Sequence, residues 1–321
     1  MHDLAVIIIS TNEANWLRPC LRTVFERVGP IEIDVVVADN ASTDETRDVV
    51  TSDFPQARIV GCENRGFAHA NNRALETTDA RYVLFLNPDT EILGGTLAEL
   101  VEALDRRPTV GLIGVNQVNA RGELHPTIRR FPNALRSLGD SLGLERLPYR
   151  PAWLGERELD LSLYKQERSC DWTIGSFMFV RREALDEAGP LDERFFIYSE
   201  EVDLCLRIRQ AGWEIRHLPA MTILHQVEKG GSARTINERM VRQSAYAQLQ
   251  YAHKNFSRIH RTLFRGVLLL RYALRSLLPS RERAYGQKRR AAARNAARLV
   301  LGLGEPPFET QRSTGTATNG L

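Results

Sequence analysis

The sequence predicts an α/β protein whose central sheet is mostly parallel. Two observations carry that expectation. Four short apolar runs, each closed by polar turn residues, alternate with helical patterns between Leu4 and Leu86, the succession expected of βαβ units. The composition, 43% hydrophobic and 26% charged over 321 residues, is that of an ordinary globular chain with room for a large core.

The runs Leu4 to Ser10, Ile33 to Ala38, Ala57 to Gly61 and Tyr82 to Leu86 are too short for helices and read as strands. Between the first two, Trp16, Leu17, Cys20, Leu21, Val24 and Phe25 recur at three-and-four spacing and predict a helix over Glu13 to Val28. Ser42 or Thr43 can cap a helix starting near Asp44, and Phe67 to Glu76 supplies a third. The order is therefore βαβαβαβ. From Phe131 to Arg168, prolines 132, 148 and 151 interrupt the pattern and predict a loop-rich insertion. Regular structure resumes at Trp172 to Val180, followed by a helix over Val202 to Ala211 that Gly212 ends. Two long helices follow, Ile236 to Phe256 and Ser257 to Leu278, the second stopped by Pro279. Past Gly302 the Pro, Thr and Gly content predicts disorder.

Composition excludes several classes. Cys20, Cys62, Cys170 and Cys205 are far apart and form no C-x-x-C pair, so neither a zinc knuckle nor a disulfide framework is expected. That usage, with an amino terminus that lacks a secretory pattern, fits a cytoplasmic protein. No G-x-G-x-x-G or P-loop occurs, which argues against dehydrogenases and ATPases. The turn Ser10-Thr11-Asn12-Glu13 lacks the glycine-rich basic signature of a sugar nucleotidyltransferase.

In open α/β sheets ligands bind beyond the carboxyl ends of the strands. The residues at those ends are rich in chemistry: Ser10 to Glu13, Asp39-Asn40, Asn64-Arg65-Gly66 and Asn87-Pro88-Asp89. Asp89 could hold a divalent cation beside a diphosphate, although Asn-Pro-Asp also makes plain turns. Asp39 could accept hydrogen bonds from the imino and amide groups of a pyrimidine base, and a capping role is the alternative. Gly66 permits close backbone approach at a helix start, and Asn64 and Arg65 suit a nucleotide pocket. Glu200, Glu201 and Asp203 crowd the start of a helix beside Phe195, Phe196 and Tyr198. Acids there favour the helix dipole, and a carboxylate desolvated by aromatic neighbours also suits a general base.

Together these motifs resemble family 2 glycosyltransferases of the GT-A fold, especially their bacterial rhamnosyltransferase-like branch, over about Leu4 to Ser232. The resemblance implies that Ser10, Thr11, Asn12 and Glu13 border the nucleotide, Asp39 reads the base, and Asn64, Arg65, Gly66 and Asn87 complete its pocket. Asn87-Pro88-Asp89 looks like the D-x-D metal motif with its first acid replaced. Asp89 and His225 would then hold Mg²⁺ or Mn²⁺. Trp172, Gly175, Ser176 and Tyr198 would face the acceptor. Tyr198-x-Glu200-Glu201-x-Asp203 resembles the E-D-x-D element, whose second acid is the base. Glu201 matches it, with Glu200 and Asp203 as alternatives, and Trp153 is placed near the acceptor by position.

The implied reaction is an inverting transfer from a nucleoside-diphosphate sugar, with dTDP-L-rhamnose the first choice. A UDP-hexose or galactofuranose donor is the alternative. The acceptor would be a hydroxyl of a surface glycan or polyprenol-linked saccharide. The implied organisation is a GT-A catalytic domain over 1–232 (donor half 1–115, acceptor half 116–232), a basic helical extension over 233–300 and a disordered tail over 301–321. A catalytically silent scaffold relative is the non-enzyme reading.

From Lys254 to Arg298 thirteen Lys and Arg stand against one acid, Glu282. Ile259, Leu263, Val267, Leu270, Leu274 and Leu277 form one stripe, with Arg258, Arg261, Arg265, Arg271 and Arg275 on the other side. Such a helix suits the inner face of a cell membrane, and packing on the protein or on a second subunit of a homodimer is the alternative. Nucleic acid is not expected, since no binding motif accompanies the charge.

Overall fold

The computed structural model describes residues 1–144, 147, 151, 153–226, 237–277 and 283–308. The first half follows the expected order: β1 (His2–Ser10), α1 (Ala14–Glu26), β2 (Ile33–Asn40), α2 (Thr46–Asp48), β3 (Arg58–Cys62), α3 (Phe67–Leu75) and β4 (Ala80–Leu86). The second connection is less regular than its sequence suggests. Its helix starts after Glu45 and runs into a π-helical turn over Val49–Asp53, because Asp44 caps backbone amides of Ala14 and Thr46 instead of extending a helix.

The rest comprises β5 (Thr90–Gly94), α4 (Leu97–Asp105), β6 (Val110–Val118), β7 (Leu124–His125), α5 (Ala134–Ser141), β8 (Arg168–Ser169), β9 (Phe177–Arg181), α6 (Arg182–Ala188), α7 (Glu200–Gln210) and β10 (Glu214–His225). The stretch expected to be loop-rich thus contains α5, capped by the Asn133 side chain on the Arg136 amide. Gly212, at φ 97°, follows α7 as expected. Three helices complete the described chain: α8 (Glu238–Asn255), α9 (Arg258–Leu277) and α10 (Arg283–Val300).

One ten-stranded sheet runs in the order β3-β2-β1-β4-β9-β6-β10-β5, with β7 and β8 paired to β6 and β10. The first four strands are parallel, as the alternating pattern requires. Beyond β4 the sheet becomes mixed, because β9 inserts antiparallel between β4 and β6. β10 pairs parallel with β6 and antiparallel with β5, its register shifting across Pro219, where a ladder donor is missing.

Both faces of the sheet are covered. In β1, Leu4, Val6 and Ile8 join the core under α1 and α4, while Ile7 and Ile9 join the one under α3 and α7. A third cluster unites Ala245 and Ala252 of α8, Phe264, Leu268 and Tyr272 of α9, and Ala293, Ala296 and Leu299 of α10. Helix α8 also gives Ala247 and Tyr251 to the catalytic-side core, so it belongs to both.

Helix α9 carries two apolar faces. Phe264, Leu268 and Tyr272 are buried, whereas Ile259, Leu263, Leu270 and Leu277, on the opposite side, are exposed. The arginines flank the buried face and bond inward: Arg265 to the Val300 carbonyl (2.6 Å), and Arg271 to Ser141 and Gln248 (3.0 and 3.1 Å). The expectation that they point towards lipid headgroups is therefore corrected for these two. Among the described residues no helix is long and apolar enough to cross a membrane. The glycine loop 230–232, Pro279 and residues 309–321 of the expected tail lie outside the described residues. Phe308 is described and packs against Phe196, ring on ring at 4.4 Å.

This arrangement separates two substitutions on α9. Phe264→Ala should destabilise the protein by about 3–5 kcal/mol in urea unfolding, as aromatic truncations in cores do. Leu263→Ser, on the exposed stripe, should change stability by less than about 0.5 kcal/mol.

Candidate active site

The exits of β1 and β2 interlock. The Asn12 side-chain oxygen accepts from the amides of Thr43 (2.7 Å) and Asp44 (3.2 Å), and Ser42 Oγ accepts from the Asn12 amide (3.1 Å). Ser10 is fully buried, its hydroxyl 3.4 Å from that of Thr46. Asp39 is also fully buried and accepts from the Ser42 amide (2.9 Å) and from Arg47 Nε (2.5 Å). Burial opposes its ionisation, but these bonds overcome burial and hold the carboxyl below its ordinary range. Asn40 donates to Thr11 Oγ1 (3.1 Å) and to the Asn64 side-chain oxygen (3.2 Å), tying three strand exits together.

Gly66 explains how the two halves meet. It sits at φ 106°, and a Cβ there would lie 2.3 Å from the Phe196 carbonyl oxygen, to which the Phe67 amide donates (2.7 Å). Along α3, His69 lies 2.9 Å from Glu193, and Asn72 donates to the Leu191 carbonyl (2.8 Å). These polar side chains anchor the opposite wall, not a nucleotide. Arg65 does not reach the cleft wall, and its Nε is buried without a hydrogen bond.

β4 ends at Leu86, and the Asn87 amide donates to the Ser176 carbonyl (3.0 Å). Asp89 is 3% exposed. Because β10 pairs antiparallel with β5, His225 lies opposite Thr90, and its Nε2 comes within 3.6 Å of Asp89 Oδ1. Among the described residues no group of three His, Cys, Asp or Glu side chains could hold a metal ion. A carboxylate and an imidazole nevertheless fit a divalent ion whose remaining positions are filled by phosphate and water.

The opposite wall carries the acids. Tyr198 and Ser199, at φ 74° and 69°, turn the chain sharply into α7. With Asn12 and Ala41 they are the non-glycine residues of positive φ among the described residues, and all four lie at the strand exits or this turn. Each such conformation costs on the order of 1–3 kcal/mol, and strain of this kind gathers at functional sites. Glu200 and Glu201 occupy the first turn of α7. Burial raises the carboxyl pKa of both, that of Glu200 well above its ordinary value with the neighbouring Glu201 charge adding to burial. The two carboxyls titrate as a pair. Gly175 lies against Glu201, where a Cβ would make an ordinary 3.4 Å contact with Glu201 Cβ.

Asp203 has a different task. It is fully buried, accepts from Arg207 Nε and Lys254 Nζ (2.8 Å each), and takes a third bond from Asn255 (3.3 Å). It pins α7 to α8 and is not available as a base, which corrects its place among the catalytic candidates.

A cleft of about 520 Å³ collects Thr11, Glu13, Asn64, Gly66, Asn87, Gly175, Ser176, Tyr198, Glu200, Glu201 and His225. Ser10, Asn12, Asp39, Asp89 and Trp172 do not line that surface. A second cavity, of about 220 Å³, lies on the other side of Glu201 and is lined by Trp172, Tyr198, Glu156, Tyr251 and Arg271 among others. Trp153 is 54% exposed and lines neither. Met240 of α8 and Phe308, beyond the end of α10, line the main cleft, and no motif marks either one.

The profile described as glycosyl transferase family 2 matches residues 5–189. This chain belongs to glycosyl transferase family 2. A second profile, glycosyl transferase family group 2, matches 160–286. Among relatives, an N-acetylglucosaminyl-diphospho-decaprenol L-rhamnosyltransferase of Mycobacterium tuberculosis is 32% identical over 60% of this chain and 66% of its own. Rhamnosyltransferase WbbL of Escherichia coli is 28% identical over 50% and 60%. The matches thus span less than two thirds of these relatives' lengths. The fold is GT-A: a mannosyltransferase from Pyrobaculum calidifontis, solved with GDP-Man and Mn²⁺, superposes with a TM-score of 0.52 at 20% identity over 96% of this chain and 77% of that one. Staphylococcus aureus TarS gives 0.53 at 14%, over 94% and 49%.

In this family 2 protein the buried acid pair makes stability depend on pH. With its pKa raised above the ordinary 4.5, folded Glu200 keeps a proton that the unfolded chain releases, so stability falls as pH rises past that value. Glu200→Gln should therefore raise Tm at pH 8 and give no advantage at pH 4. Calorimetric melts at the two values check it, and a gain independent of pH would exclude charge as the cause.

Proposed function

We propose that this chain transfers a hexosyl residue, with inversion, from a nucleoside-diphosphate sugar to a hydroxyl of a saccharide joined to a polyprenol through a diphosphate. L-Rhamnose from a dTDP donor is the first candidate, on the similarity to two rhamnosyltransferases. UDP-hexose and galactofuranose donors are the alternatives. The observation that carries the reading is the pairing of Glu200 and Glu201 on one wall of a cleft with Asn87 and His225 on the other.

Each wall has its part. Thr11, Glu13, Asn40 and Asn64 receive the nucleotide, with Asp39 and Arg47 fixing the loop beneath it. Asp89 and His225 would hold Mg²⁺ or Mn²⁺, which when bound neutralises the departing diphosphate. Glu201 takes the proton from the acceptor hydroxyl, its raised pKa making it a stronger base than an ordinary carboxylate. Glu200, raised further, keeps its proton, so the pair presents one carboxylate and one acid. Ser176, held by Gln117 (2.9 Å) and by the Asn87 amide, joins donor and acceptor sides.

Calorimetry with dTDP-rhamnose, UDP-glucose, UDP-galactose and GDP-mannose, with and without Mn²⁺, tests the donor. One donor should bind in a metal-dependent way, and Asp89→Ala should abolish that dependence. Glu201→Gln should leave donor affinity intact and lower kcat by about 10²–10⁴-fold. Failure of every donor to bind the folded protein would favour the scaffold reading.

The partner surface is the outward stripe of α9, which we assign to the lipid face of a membrane carrying the acceptor. Ile259, Leu263, Leu270 and Leu277 are exposed, whereas Arg265 and Arg271 bond to the protein. Apolar insertion, not charge, should therefore dominate. The chain should float with neutral as well as anionic vesicles, with little loss at high salt, and Leu263→Asp with Leu270→Asp should stop it. A dimer in light scattering without flotation would give the stripe to a second copy.

A further inference from the structure

Residues 125–131 run beside the segment that carries Trp172, and the side chain of Arg129 at their bridge to it is unaccounted for. Arg129 forms backbone bridges to Trp172 on one side and Arg157 on the other. Its amide donates to the Trp172 carbonyl (3.2 Å), and its carbonyl accepts from the Asp171 amide (3.0 Å). Its guanidinium lies over the Trp172 indole, 5.5 Å from the ring centre. Trp172 lines the small cavity that Glu201 also lines, so the ladder sets Arg129 at the acceptor side of the acid pair.

Its neighbours have partners. Arg130 binds Glu158 (2.7 Å), and Arg136 donates to the Phe131 carbonyl (2.7 Å) and lies 3.8 Å from Asp171. Among the described residues the Arg129 guanidinium has no hydrogen bond and no ion pair, and its Nε is sealed from solvent. Glu156, an acid acting on it, already accepts from Ser137 (2.7 Å). Burial and the charge of Arg157 press its pKa down against the pull of Glu156 and Asp140, and its own charge lowers the Glu201 carboxyl, with which it makes no ion pair.

The groups around it favour an anion. His125, on β7, pairs with Gln117, which accepts from Ser176. Burial, with the charges of Arg129, His225 and Arg157, pushes the His125 pKa down to about 4, leaving a neutral ring with one N–H to donate. A guanidinium beside an imidazole donor matches a phosphate by shape and charge.

We propose that Arg129, with His125 beside it, is an anion subsite that takes the phosphate nearest the acceptor sugar and so positions that sugar's hydroxyl at Glu201. This rests on the transferase reading above. The same chemistry could bind a phosphate of the nucleotide, and the experiment separates the two sources.

Arg129→Ala and Arg129→Lys are compared with wild type by calorimetry. Three probes are used: a nucleoside diphosphate; N-acetylglucosamine joined to a short isoprenoid chain through a diphosphate; and the same sugar joined to that chain without phosphate. The two sugar probes are titrated with the nucleotide site saturated. Arg129→Ala should weaken the diphosphate-bearing probe at least tenfold and the phosphate-free probe less than twofold, with nucleotide affinity unchanged. Arg129→Lys should recover part of the loss. Equal weakening of both sugar probes would make Arg129 a packing residue and overturn the subsite. Weakening of the nucleotide alone would assign the anion to the donor and overturn it too, as would unchanged affinity for the diphosphate probe. A wild-type protein that binds no nucleotide defeats the transferase reading instead, and Arg129 is then judged on the diphosphate probe alone.

Discussion

The Phe196 carbonyl accepts a hydrogen bond from the Phe67 amide at 2.7 Å, and this contact between the two halves of the chain sets the shape of the cleft. It is available only because residue 66 has no side chain: a Cβ would lie 2.3 Å from the same oxygen. Once Phe196 is held, the next turn must bring Tyr198 and Ser199 through positive φ, and α7 then starts with its first two acids at the cleft wall. α3 reinforces the contact through Asn72 and His69. The acid pair is thus placed by a glycine about 135 residues earlier in the chain, a separation over which backbone geometry, not local propensity, decides position.

The parallel half of the sheet was legible because its strands are buried on both faces and end abruptly in polar residues, which gives short apolar runs with sharp ends. The same logic puts Thr11, Asn64 and Asn87 at strand exits, and all three line the cleft. Strand direction was not legible. Phe177–Arg181 reads like any buried strand, and nothing in it states that it inserts antiparallel between β4 and β6. The role of Asp203 was hidden for a related reason. Its motif position suggests catalysis, but its partner Lys254 is 51 residues away, on a helix whose docking the sequence does not encode locally. On α9 the spacing revealed one apolar stripe. It could not say that α10, with Ala293 and Ala296, would cover the opposite face.

Electrostatics divides the cleft into two regimes. At the strand exits, the hydrogen bonds that Asp39 accepts offset its burial and hold its carboxyl below the ordinary range. On the opposite wall, burial raises Glu200 and Glu201 against what the backbone offers, and the Glu201 charge adds to the rise at Glu200. Carboxylates of opposite tendency, some 160 residues apart in sequence, thus stand on the two sides of the cleft, Asp39 behind its surface and the acid pair on it.

Helix α8 bears on how the protein is made. Its Ala247 and Tyr251 complete the core beneath α7, and its Lys254 supplies the cation that the buried Asp203 requires. A chain emerging from the ribosome has the whole parallel sheet in hand well before α8 appears, and until then Asp203 has Arg207 of its own helix but neither Lys254 nor Asn255. The acid wall is therefore the last part of the cleft to set, after the strand exits that form the facing wall are already in place.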